Sequence, residues 1–158
     1  METSAQLAHH LKTVFFGGNW TSVNVKDVLY RIDYKVATST LNGIHSIATL
    51  VYHIGYYVTA IRGVLERNEL NAKDELSFDC PLIDSEKSWE DLKNSTLLQV
   101  EKLSILMAQF PSHRLSEDFI DSKYGSYYRN FLGLIEHTHY HLGQIVLIKK
   151  LVQQVGEE

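Results

Sequence analysis

Apolar residues return at alternating steps of three and four along most of this chain. The clearest run is Phe131, Leu134, Thr138, His141, Ile145, Ile148 and Val152. A second is Ile44, Ile47, Val51, Ile54, Val58, Ile61 and Leu65, and a third is Trp89, Leu92, Thr96, Val100, Leu103, Met107 and Phe110. Such stepping averages close to the helical period and draws one apolar stripe along one face of a helix. A shorter run, Leu7, Leu11, Val14 and Phe15, has the same character. The pattern predicts helices over 2–16, 43–67, 85–110 and 126–155, with a short extra helix at 25–32. Gly17-Gly18 is expected to stop the first helix and Gly156 the last, because glycine accepts the left-handed turn that ends a helix. Pro111 is expected to end the third. Ser88 with Asp91 three residues on resembles a capping box, and the bulk of Trp20 suggests an anchor for the connection after the first helix. Segments 68–84 and 111–125 are polar and read as irregular. Four long helices with long connections predict an all-α fold, a four-helix bundle formed as a single domain over 1–158.

Composition narrows the function classes. At 158 residues, with 44% hydrophobic and 22% charged residues, the chain has the makeup of an ordinary globule with a sizeable core. The formal net charge is −4 and no basic cluster is present, which argues against a nucleic-acid surface, whose affinity comes largely from neutralised phosphates. No apolar run approaches the roughly 18 residues of a membrane span. The one cysteine, Cys80, excludes an intrachain disulfide, and the N-terminus shows no basic region followed by an apolar stretch. The expected location is the cytoplasm, with no membrane partner.

Candidate chemistry sits within the stripes. His137 and His141 are four residues apart, so a helix sets both imidazoles on one face about a turn apart, where two nitrogens can grip one transition-metal ion. Thr138 follows His137 where a zincin motif needs Glu, so that protease chemistry is not indicated. On the second predicted helix, His53 neighbours the apolar stripe. His45 lies about 80° round that helix and about 12 Å along it. One ion is not expected to hold both, leaving one as a ligand and the other in a structural role. His9 and His10 are adjacent and diverge by about 100°, which suits surface positions. The set for one site is thus His53, His137 and His141. Three neutral imidazoles leave metal positions open for water or substrate, as catalytic sites do. A buried histidine can instead hydrogen-bond a carbonyl or a water. Asp118, Asp121, Tyr124, Tyr127 and Tyr128 are expected in a solvated loop or at the mouth of a site.

Two segments also resemble a known family. Asn42-Gly43-Ile44-His45-Ser46-Ile47-Ala48-Thr49-Leu50-Val51-Tyr52-His53-Ile54 carries a Ser-Ile pair with a His seven residues after the Ser. Glu136-His137-Thr138-His139-Tyr140-His141-Leu142-Gly143-Gln144-Ile145 carries His-x-x-x-His-x-Gly-Gln, and Gly17-Gly18-Asn19-Trp20 is a third match. In order and spacing these resemble the DinB-like (YfiT-like) superfamily of metal-binding four-helix bundles, and the resemblance spans most of the chain. It implies that His53, His137 and His141 correspond to the family's metal triad, and His45 takes a place often filled by Trp. It implies a divalent metal ion, commonly zinc or nickel, and a homodimer. It also implies either S-transferase chemistry with a low-molecular-weight thiol or hydrolase chemistry on a small-molecule substrate. The competing expectation is a non-enzymatic metal-binding or dimeric interaction protein.

Overall fold

The computed structural model describes residues 1–41 and 43–155. Among the described residues there are six α-helices: α1 Thr3–Phe16, α2 Val25–Tyr30, α3 Tyr34–Thr38, α4 Ile47–Arg67, α5 Glu86–Gln109 and α6 Tyr127–Val155. Four of them are long, and among the described residues there is no strand, only the isolated bridges Leu41–Ile44 and Asp118–Ser126. The protein is all-α. The predicted stop at Gly156 lies outside the described residues.

The periodic stripes become the core. Leu11, Val14 and Phe15 of α1, Ile47, Val51, Ile54 and Val58 of α4, Val100, Leu103 and Met107 of α5, and Phe131, Ile145 and Ile148 of α6 are buried together. Each such side chain contributes about 1.5–3 kcal/mol when removed from water. α1 and α4 each pack against both α5 and α6. At the α4–α5 seam the helices come close because residue 55 is glycine: a Cβ there would stand 2.9 Å from Thr96 Oγ1.

Several boundaries differ from the sequence expectation, each for a local reason. α4 begins at Ile47, not at 43. Ser46 is its N-cap, its hydroxyl accepting from the Thr49 N–H, and the preceding chain is held in a turn by Ile44 N–H donating to the Leu41 carbonyl. Ile44 is therefore half exposed, and His45 lies before the helix rather than on it, so a helical separation of His45 from His53 does not apply. The capping box of α5 is Ser85 with Ser88, one turn earlier than expected: Ser88 N–H donates to the Ser85 hydroxyl and the Ser88 side chain accepts from Ser85 N–H. Asp91 pairs with Lys87 instead. Trp20 is 95% exposed and anchors nothing. The connection is tied by Asn19, whose amide donates to the Thr13 and Val23 carbonyls. The expected 25–32 helix ends at Tyr30, and α3 follows it, capped by the Asp33 side chain. Segments 68–84 and 111–125 are irregular apart from single 3₁₀ turns at Asp74–Leu76, Ser112–Arg114 and Ser122–Tyr124.

Candidate metal centre

α4 delivers His53 and α6 delivers His137 and His141 to one point between the two helices. One ring nitrogen from each lies within 4.8 Å of the others. The ring centroids are 4.9 Å apart for His53 and His137, 4.8 Å for His53 and His141, and 4.5 Å for His137 and His141. His53 and His141 are buried and His137 is half-buried. Among the described residues no fourth histidine, cysteine or carboxylate joins the group.

The outward nitrogens show how the rings are held. His53 Nδ1 lies 3.3 Å from the Ser77 carbonyl, and His141 Nδ1 lies 2.7 Å from Gln144 Oε1. Both partners accept, so both histidines carry their proton on Nδ1 and turn a bare Nε2 lone pair inward. Gln144 is itself oriented, its amide donating to the Tyr140 hydroxyl. His137 Nε2 stands 3.0 Å from His53 Nε2, while its Nδ1 is buried with no partner. Two nitrogens bound to one tetrahedral zinc at about 2.0–2.1 Å each lie roughly 3.3 Å apart. The donor set and its spacing fit a divalent ion, and the carbonyl and carboxamide behind two of the rings are the partners that ligating imidazoles usually have.

Burial acts on the titration of all three rings. Desolvation, then the neighbouring His141 and His53, pushes His137 down to about 4. Desolvation first and His141 second lower His53, with the Ser77 carbonyl opposing, and desolvation lowers His141 against the pull of Gln144. All three are neutral at pH 7, the state a metal ion requires.

Segment 68–84 supplies much of the surroundings. Phe78 stacks on His53 at 3.9 Å between centroids, and His45 stacks on the other side of Phe78 at 4.4 Å. His45 is exposed and stands outside the trio. Tyr57 meets both His53 and His137 edge-on, and its hydroxyl donates to Asp74 at 2.8 Å. A cleft of about 770 Å³ opens beside the trio, with Tyr57, Tyr128 and His137 in its wall. On the other side, His45 and Gln144 border an aliphatic pocket of about 250 Å³. His9, His10 and His113 are exposed and belong to no site. Of the tyrosines expected at a mouth, Tyr128 lines the cleft, whereas Tyr127 is buried in the core.

Sequence reasoning missed Ser77, Phe78 and the Tyr57–Asp74 contact. Gln144 was readable, being three residues beyond His141 on the same helical face. Ser77 acts through its carbonyl, which leaves no mark in a sequence. Comparison of the chain with family models, with curated proteins and with solved structures gives no match.

Proposed function

We propose that this chain is a DinB-like four-helix bundle that binds one divalent metal ion, zinc or nickel, through His53, His137 and His141, and that it uses the open side of that ion catalytically. The observation that carries this reading is the convergence of three imidazoles with no further histidine, cysteine or carboxylate beside them among the described residues. When bound, an ion so held lowers the pKa of a ligated water toward about 7 or keeps a thiol as its thiolate, which supports hydrolysis or thiol S-transfer. The chain's own contribution is orientation and exclusion. The Ser77 carbonyl holds His53 and the Gln144 carboxamide holds His141, and Phe78 and Tyr57 cover His53 and His137 with aromatic surface. The small-molecule substrate approaches along the cleft beside His137. The proposed location is the cytoplasm. The proposed assembly is a homodimer, supported by the exposed aliphatic Ile44, Leu147 and Leu151 beside the site.

One observation favours a second reading, metal binding without catalysis. Among the described residues no carboxylate belongs to the cluster, and Asp74 is engaged by the Tyr57 hydroxyl, so a general base is not in place. Metal analysis of purified protein followed by cobalt substitution separates the readings. Stoichiometric metal with a visible spectrum that changes on adding azide or a simple thiol supports an open, catalytic position. Metal with a spectrum indifferent to both supports the non-enzymatic reading, and absence of stoichiometric metal rejects both.

A further inference from the structure

The cleft beside His137 carries more information than its size. Its wall along α6 runs from Arg129 through Gly133 to Glu136 and His137. Gly133 is half-buried in the interior of a helix of 29 residues, where glycine is destabilising relative to alanine. A close packing partner would explain it, but nothing lies within 4 Å of where its Cβ would be. The missing side chain instead keeps the cleft floor low, one turn before His137.

Arg129 stands at the far end of this floor. Its aliphatic stem lies over Gly125, whose absent Cβ leaves that seat free. Among the described residues no carboxylate pairs with it. The opposite charge in the wall, Glu136, adjoins His137 and lies about 10 Å from Arg129 along the axis. The cleft is therefore positive only at the end remote from the histidines. Between the two ends the wall offers Tyr57, Ile61, Leu134 and Tyr128, an apolar lining.

We propose that this cleft binds a small ligand with an apolar body and a terminal carboxylate, the carboxylate received by the Arg129 guanidinium and the other end placed at the three histidines. The inference rests on the metal reading above. Arg129 and His137 are eight residues apart, about 12 Å along the helix, and arginine is the side chain best suited to a carboxylate. An eight-carbon chain, roughly 9 Å long over its seven bonds at about 1.25 Å each, closes that distance once its contacts at both ends are added.

Two hydroxamates test it on zinc-loaded protein by calorimetry: suberic acid monohydroxamate, which ends in a carboxylate, and octanohydroxamate, which ends in a methyl. The acid is expected to bind about tenfold tighter, as a charge-assisted hydrogen bond gives. In Arg129→Gln that preference should vanish with octanohydroxamate binding unchanged. Gly133→Leu should weaken both ligands at least tenfold while zinc content stays the same and the melting temperature does not fall. Equal affinities in the unmodified protein, or a preference that survives Arg129→Gln, overturn the carboxylate assignment. Unchanged binding of both ligands in Gly133→Leu overturns the cleft. Both results are read with zinc bound, so they leave the metal reading standing. Failure to load zinc overturns the metal reading, and this inference with it.

Discussion

The seam between α1 and α5 and the seam between α4 and α6 are built from the same period of apolar residues, yet they treat buried polar groups in opposite ways. Around α5 those groups are closed off. The Trp89 indole N–H, fully buried, donates to the Ile32 carbonyl at 2.7 Å, and the Ser104 hydroxyl donates to Val100 one turn back at 2.8 Å. Between α4 and α6 the outward nitrogens of His53 and His141 are bonded, but the inward ones face one another. In a low-dielectric interior unmatched lone pairs are costly. The paired Trp89 and Ser104 donors make the α5 side a scaffold, and the clustered ring nitrogens, with His137 Nδ1 buried and unpartnered, make the α4–α6 side the candidate binding centre.

The largest effect should come from breaking the closed side. Trp89→Ala empties the volume of a fully buried indole and orphans the Ile32 carbonyl, so stability should drop by about 3–5 kcal/mol. Urea unfolding reads the loss. The fraction that remains folded should still take up metal with unchanged affinity, and a parallel fall in affinity would show that the two seams are not independent.

Breaking the open side should do the reverse. His141→Ala removes the proposed ligand with the most ordered support and is expected to lower zinc affinity more than 100-fold, beyond the 10–100-fold typical of losing an outer partner. His9→Ala, at an exposed position, should leave affinity and stability unchanged. Competition with a chromophoric chelator measures both, and equal affinities in the two variants would remove His141 from the ligand set.

A gentler change tests the support behind the ring. Gln144→Leu takes the acceptor from His141 Nδ1 and should weaken zinc by about 10–100-fold, whereas Gln144→Glu keeps an acceptor and should restore most of it. If Leu and Glu behave alike, Gln144 does not orient the ring.

The pH dependence of the metal-free protein tests the same burial from another side. The folded His137 titrates at about 4, against about 6.5 in an unfolded chain, and His53 and His141 shift in the same direction, in each case chiefly through burial. Below 6.5 the unfolded chain binds protons that the folded one refuses, so stability should be full above pH 6.5 and decline as the pH falls toward 4. Urea midpoints at pH 7, 5.5 and 4.5 should follow that order, with a shallower decline in His137→Gln. Identical slopes in the two proteins would show that the decline comes from other groups.

The all-α class and the pairing of His137 with His141 were legible because both depend on helical spacing, whereas joining His53 to them rested on its place beside the second stripe and on the family resemblance. A stripe at steps of three and four must face inward, and His137 with His141 must share a face wherever that helix forms. The start of α4 was misplaced because Ser46 and the turn behind it stop the helix, although the apolar step to Ile44 continues the stripe. The anchor expected at Trp20 failed for a similar reason. Bulk suggested burial, but the Asn19 amide closes the loop with the indole left in solvent.

Local periodicity thus indicated, from sequence alone, the four long helices, the faces they bury and the histidines near the buried face, but not the short α3. Tertiary structure decided the rest, because it depends on backbone atoms and on distant segments meeting. It placed the Ser77 carbonyl behind His53 and inserted Phe78 between His53 and His45. It set Tyr57 against two of the rings and opened a cleft over Gly133 beside His137. A carbonyl has no side-chain identity, and an open space has no residue at all, so neither can be read from the order of the amino acids.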